Sequence, residues 1–89
     1  PSTVSGFSVK QNYPNPFSDQ TQLEITLKNS ADVNVRVTNL LGESILENNY
    51  TFSSGHHTMI FSRNGLASGV YYCTVKAGNE SITRKMIIE

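Results

Sequence analysis

Residues 70–88 read VYYCTVKAGNESITRKMII, and the alternation of apolar and polar residues in this stretch predicts a β-hairpin. Gly78-Asn79 is a two-residue loop of the kind that suits a primed turn. Closing the hairpin at this loop pairs Val75 with Ile82 and gives the two strands a shared apolar face. That face consists of Tyr71, Cys73, Val75, Ile82, Met86 and Ile88.

Arg84 is the residue that breaks this pattern. The same register pairs Tyr71 with Met86 and turns Arg84 inward, opposite Cys73. A β-bulge that shifts the register would accommodate the charge, and so would an arginine side chain that reaches out past the sheet edge. We expect the bulge.

Period-two alternation also recurs in the rest of the chain, whereas helical periodicity is absent. It predicts further strands over residues 22–28, 32–38, 44–52 and 57–62, with Gly42 at a positive φ in the turn that follows the second of these. Seven short strands separated by Gly, Asn and Ser turns are typical of an immunoglobulin-like sandwich. We therefore predict an all-β, immunoglobulin-like β-sandwich of about seven antiparallel strands.

Length and composition limit the classes of protein to consider. The 89 residues make one small domain, and seven basic residues balance seven acidic ones. No basic patch is visible, so we expect no nucleic-acid partner. Cys73 is the single cysteine, which excludes an internal disulfide, and its apolar strand predicts a small buried hydrophobic residue.

The N-terminus has the composition of a linker. Residues 1–8 are mostly small and polar, and we interpret them as the remnant of a linker from a preceding domain, with the folded domain at 9–89. Because the chain starts at Pro1 rather than Met, we expect an excised fragment whose N-terminal signal lies elsewhere.

Two motifs can each be interpreted either as a structural element or as part of a functional signal. The first is Tyr13-Pro14-Asn15-Pro16-Phe17, whose two prolines fix φ and remove amide donors, so that the segment suits a sheet edge. Alternation predicts that Tyr13 and Phe17 lie on the same side and cap the core. The second motif is Leu66-Ala67-Ser68-Gly69-Val70-Tyr71-Tyr72. In it, Leu66 is expected to fill the end of the sandwich, Gly69 to permit a sharp entry into the strand, and Tyr71 to pack inward.

Four patterns, in this order, resemble the C-terminal sorting domain (type A) of the Por, or type IX, secretion system. They are Tyr-Pro-Asn-Pro-Phe at residues 13–17, an alternating valine strand followed by the Gly42 turn, Leu-x-x-Gly-Val-Tyr at Leu66, Gly69, Val70 and Tyr71, and a Lys-Met-aliphatic ending at residues 85–88. The resemblance covers residues 9–89. Many similar domains end in a basic residue, whereas this chain ends in Glu89.

The resemblance implies a secretion signal rather than an enzyme, without cofactor, metal or catalytic residues. It implies that the domain is recognised by the outer-membrane translocon after passage through the periplasm, and that a sortase-like peptidase cuts it from an N-terminal cargo. The cargo is then released outside the cell or attached to its surface. The candidate recognition residues form the terminal strand: Arg84, Lys85, Met86, Ile87, Ile88 and Glu89. A terminal strand can present backbone groups and alternate side chains to a receptor.

Two other functions are kept as alternatives. The first is a structural immunoglobulin-like spacer, and the second is a carbohydrate-binding accessory domain whose surface would include Tyr50, Phe52 and Tyr72. His56 and His57 are adjacent in a strand and therefore point to opposite faces, which does not suit zinc. The oligomeric state is left open.

Overall fold

The computed structural model describes residues 7–89, in which seven strands account for most of the chain. They are β1 (Phe7–Val9), β2 (Gln20–Leu27), β3 (Ala31–Thr38), β4 (Ser44–Phe52), β5 (Gly55–Ser62), β6 (Gly69–Ala77) and β7 (Glu80–Ile88). Over residues 7–89 there is no helix of the length and apolarity needed to cross a membrane.

The strands form two antiparallel sheets, which confirms the predicted all-β sandwich. One sheet has the order β1-β2-β5 and the other has the order β4-β3-β6-β7. In the constant-type immunoglobulin arrangement the fourth strand lies in the same sheet as the first, second and fifth. Here β4 pairs with β3 instead, so the terminal hairpin β6-β7 belongs to the larger, four-stranded sheet.

The core lies between the inner faces of the sheets, where period-two alternation places apolar side chains. All of the following are buried: Phe7, Val9, Phe17, Leu23, Ile25, Leu27, Val33, Val35, Val37, Tyr71, Cys73, Val75, Ala77, Met86 and Ile88. The prediction that Cys73 is a buried hydrophobic residue is confirmed. Its desolvation raises the pKa of the thiol from the ordinary value of 9.0 to about 11.

The terminal hairpin has the predicted register. Its strands are separated by the Gly78-Asn79 loop, and the predicted pairs Val75–Ile82 and Tyr71–Met86 both form. The bulge predicted at Arg84 is wrong, because Arg84 pairs with Cys73 in an unbroken ladder. A shift of register occurs instead in the β3–β4 pairing, between Val37 and Thr38.

Arg84 avoids burial of its charge by reaching the rim of the sandwich. Since β7 is an edge strand, an inward-facing long side chain can extend to the gap between the sheets. Arg84 Nε donates a hydrogen bond of 2.8 Å to the carbonyl oxygen of Val9. The guanidinium therefore links β7 to β1 in the opposite sheet, which was the other alternative that the sequence left open.

The first strand begins close to the predicted domain boundary. Residues 1–6 of the predicted linker lie outside the described residues. Phe7 and Ser8 lie in β1, and Phe7 is buried, so the first strand begins two residues before the boundary predicted at residue 9. The linker origin of the N-terminal residues stays a prediction.

Candidate functional site

The terminal strand divides the predicted recognition residues between the core and the surface. Met86 and Ile88 are 1% and 2% exposed, and they fix the strand against the opposite sheet. Lys85 and Glu89 are exposed and Ile87 is partly exposed. A binding partner can therefore contact only alternate side chains of this strand while the domain is folded.

The motif at residues 13–17 crosses from one sheet to the other and ends against β7. Together with Gln11 and Asn12 we call it the proline segment (residues 11–17). Tyr13 exchanges two backbone hydrogen bonds with Gln22 of β2, at 3.0 and 2.9 Å. Phe17 N then donates to Ile87 O at 3.0 Å, and Glu89 N donates to Phe17 O at 2.9 Å. Both Tyr13-Pro14 and Asn15-Pro16 are cis peptide bonds.

Asn15 bonds the backbone of β7 through its side chain, which also supplies a donor that the neighbouring prolines lack. Its side-chain Oδ1 accepts from Ile87 N at 2.9 Å, and its Nδ2 donates to Lys85 O at 3.4 Å. Gln11 Nε2 donates to the same Lys85 carbonyl at 2.7 Å. The outer-edge backbone groups of β7, from Lys85 O to Glu89 N, are thus bonded to the proline segment.

The prediction that Tyr13 and Phe17 share one side is wrong for Tyr13. Phe17 is buried and contacts Phe61 edge-on, with ring centroids 6.1 Å apart. Tyr13 is 80% exposed. Alternation holds along one extended strand, but Tyr13 is bonded to one sheet and Phe17 to the other, so the rule does not relate them.

A buried polar pair, formed by Asn12 of the proline segment and Thr21 of β2, was missed by sequence reasoning. Asn12 Nδ2 donates to Thr21 Oγ1 at 3.0 Å and to Pro14 O at 3.3 Å. Thr21 Oγ1 donates to Pro14 O at 2.8 Å. Thr21 has the same parity as Leu23 and Ile25, which was the available signal that its hydroxyl faces inward and needs a partner.

Arg63 joins three segments at the end of β7, a role that no local sequence pattern indicates. Its Nη1 donates to Glu89 O at 3.0 Å and to Ser18 O at 3.3 Å. Its Nε donates to Leu66 O at 2.8 Å, and its Nη2 donates to Ser68 Oγ at 3.1 Å. Arg63 thereby fixes the chain just before β6 beside Glu89, the residue that follows β7.

The residues of the second motif lie at the entry to β6 and in its first residues. Leu66 packs against the core, and Gly69 begins β6 with φ of 150°, a conformation that favours glycine. Tyr71 is buried, and its hydroxyl donates to the carbonyl oxygen of Ala67 at 2.8 Å. A strand tyrosine bonded to the backbone a few residues upstream is the tyrosine corner of immunoglobulin-like sandwiches. Val70 lies on the outer face.

Gly42 has the predicted positive φ, 83°. The turn around it is held by Asn39, whose Oδ1 accepts from Leu41 N at 2.9 Å and Glu43 N at 3.0 Å. Asn39 Nδ2 also donates to Glu43 Oε1 at 2.7 Å. Between these bonded residues, Leu40 is 68% exposed and Leu41 is 83% exposed.

The aromatic residues proposed for sugar binding do not form one surface. Tyr50 and Phe52 stack at 5.2 Å on the inner side of β4, and Phe52 stacks on His57 at 4.3 Å. Tyr72 pairs with Lys85 on the outer face of the larger sheet. A cavity of about 180 Å³ between β4 and β5 has a mainly apolar lining. These features do not offer a sugar a flat, exposed aromatic platform.

The two histidines point to opposite faces. His56 Nδ1 shares a hydrogen bond of 2.9 Å with Thr26 Oγ1, and His57 Nε2 donates to Ser53 O at 2.7 Å. In the part of the chain that the structure describes, no three His, Cys, Asp or Glu side chains are grouped as metal ligands would be.

The fold and the tyrosine corner define this chain as an immunoglobulin-like β-sandwich module. A family model described as "secretion system C-terminal sorting domain" matches residues 11–89, and the chain belongs to that family. The match supports a C-terminal sorting signal for type IX secretion, with an attached cargo and export to the cell surface or beyond. No curated protein matches the chain.

Proposed function

We propose that this chain binds the outer-membrane type IX translocon and directs a covalently linked cargo across the outer membrane. The family match over residues 11–89 is the observation that carries this proposal. The cargo reaches the periplasm by an ordinary signal peptide, and a sortase-like peptidase then cuts the linker before the domain. The cargo is released or attached to the surface. The domain itself performs no catalysis.

The translocon reads the outward side chains at the end of β7. Over residues 84–88 of this strand, the side chains on the outer face are those of Lys85, which is exposed, and Ile87, which is partly exposed. Backbone pairing to the same stretch is disfavoured while the domain is folded, because the proline segment already bonds Lys85 O, both polar backbone groups of Ile87 and Glu89 N. Side-chain recognition therefore fits the geometry better than the strand addition used by many peptide-binding domains.

A surface variant tests this proposal better than a deletion. Removing residues 84–89 would also remove Met86 and Ile88 from the core, so export would fail through unfolding as well as through loss of the signal. The substitutions Lys85→Ala and Ile87→Ser, combined, change only outward side chains.

The assay uses a periplasmic reporter fused before the chain in a bacterium with a functional type IX system. We expect export with the native chain and at least about a tenfold loss with the Lys85/Ile87 double variant, since a few central residues dominate most interfaces. The matched control is Lys28→Ala with Ile60→Ser, both on exposed positions of the smaller-sheet side. Thermal unfolding of each isolated domain checks that the fold is intact.

Two results would contradict the proposal at different levels. If the folded double variant is exported like the native chain, Lys85 and Ile87 are not recognition residues. If the native chain leaves the reporter in the periplasm, the sorting function itself is wrong, and the structural-spacer alternative is favoured.

A further inference from the structure

The turn after β3 holds two leucines in solvent on a rigid support. Asn39 N donates to Glu43 O at 3.1 Å, and Gly42 N donates to Asn39 O at 3.0 Å. With the three side-chain hydrogen bonds of Asn39, these bonds fix the backbone on both sides of Leu40 and Leu41. The hydrogen bonds of this turn therefore hold both leucines in solvent. A turn of polar residues would meet the structural requirement equally well, so the turn itself does not require leucine at these positions.

These leucines lie at the same end of the larger sheet as the last residues of β7. Thr38 pairs with Tyr72, so the turn that follows β3 is level with the start of β6. Val70 at that start pairs with Ile87 of β7. We define the apolar end surface by its exposed or partly exposed members at this end of the sheet: Leu40, Leu41, Ile45, Val70, Tyr72 and Ile87.

The charges around this surface indicate what kind of partner it fits. Lys85 lies beside Tyr72 and has no carboxylate within salt-bridge distance among residues 7–89. Glu43 is held by Asn39. Arg36 also lies on the outer face of the larger sheet, directly opposite Glu47. Two cations near the surface, one of them facing a carboxylate, in a chain of zero net charge do not provide the basic cluster that attracts an anionic membrane surface. The surface does fit a protein with a carboxylate beside an apolar hollow.

We infer that the apolar end surface is the docking site for the export receptor, with Leu40 and Leu41 inserted into an apolar hollow and Lys85 facing an acidic side chain. This inference rests on the proposed sorting function, and it adds the turn after β3 to the recognition element. The terminal strand is then one half of a composite surface, since Ile87 and the two leucines approach the receptor from the same end of the fold.

The test uses the fused-reporter assay to compare two variants. One carries both Leu40→Ser and Leu41→Ser, and the other carries Ile60→Ser. Ile60 is 58% exposed on the outer face of the smaller sheet, so its change removes exposed apolar area outside the end surface. We expect at least about a tenfold loss of export for the leucine double variant and native export for Ile60→Ser. Thermal unfolding must show both isolated domains folded.

The other outcomes decide between the inference and its alternatives. Native export by the folded leucine double variant, together with loss of export by the Lys85/Ile87 variant, overturns the inference and leaves the sorting function standing. Failure of the native chain itself to export the reporter overturns both. Sedimentation of the isolated domain as a dimer that Leu41→Ser makes monomeric, or co-sedimentation with phosphatidylglycerol vesicles, would assign the surface to a second copy or to lipid, and either result contradicts the inference.

Discussion

At the scale of single residues, the hydrogen bonds of the Asn15 side chain explain why an asparagine stands between two prolines. A proline has no amide hydrogen, so a proline-rich segment cannot form a regular ladder with a neighbouring strand. The Asn15 side chain replaces part of that ladder by accepting from Ile87 N and donating to Lys85 O. One amide side chain therefore does for the edge of β7 what a peptide group of a paired strand would do.

Replacing Asn15 with alanine is expected to destabilise the domain and loosen the end of β7. The Ile87 amide would lose its partner in a partly buried position, which costs about 1–3 kcal/mol of unfolding free energy. Urea unfolding measures the loss, and amide hydrogen exchange should accelerate at Ile87 in particular. Asn49→Ala is the control, because it removes only an exposed side-chain hydrogen bond to Asn34. Equal stability of the two variants would contradict this role for Asn15.

Cys73 makes the stability depend on pH in the alkaline range. Its pKa of about 11 in the folded protein exceeds the ordinary value of 9.0, so the folded state binds the thiol proton more tightly than the unfolded state does. The resulting stabilisation is complete below about pH 9 and is lost as the pH rises towards 11. The stability difference between the native chain and Cys73→Ala should therefore shrink by about 2 kcal/mol between pH 8 and pH 10.5. A difference that stays constant across this range would show that the thiol is not desolvated.

At the scale of elements, the terminal hairpin and the proline segment show what a sequence can predict. The register of β6-β7 follows from a two-residue loop and local alternation, so both predicted pairs form. The partners of the proline segment lie in β2 and, about seventy residues further along, in β7. Nothing local specifies such distant hydrogen bonds, and the placement of Tyr13 was wrong for that reason.

The difference between local and distant contacts also explains why the partners of the two arginines were not predicted. Arg84 was recognised as an inward-facing charge, but its acceptor is the Val9 carbonyl in the opposite sheet, which no local pattern indicates. Arg63 bonds the backbone of Ser18, Leu66 and Glu89, and these three residues come together only in the folded domain. Sequence patterns therefore predicted β2 to β7 and most of the core, whereas β1 and the contacts that fix the end of β7 required the tertiary structure.

The two aromatic residues of the proline segment should differ sharply in their effect on stability. Phe17→Ala removes a fully buried ring that packs against Phe61, with an expected cost of about 3–5 kcal/mol. Tyr13→Ala removes an exposed ring, and we expect a change within about 0.5 kcal/mol. Urea unfolding of the two variants gives both values. Comparable losses would contradict the separation of Phe17 from Tyr13 described above.

At the scale of the whole molecule, the residues proposed for recognition lie at one end of the four-stranded sheet. The proline segment, Arg63 and Arg84 fix the last residues of β7, and the turn after β3 presents its leucines at the same end. With a net charge of zero, the domain has no overall charge that would attract a receptor over a distance. The proposed docking feature is therefore a set of apolar side chains held at defined positions on a folded end surface.

The most direct test of this account locates a reporter that carries the chain at its C-terminus and a periplasmic signal at its N-terminus. We expect the reporter to appear outside the outer membrane in cells with a functional type IX system, and to stay in the periplasm when the translocon is deleted. A reporter that remains in the periplasm of both strains, although its domain is folded, would contradict the sorting function.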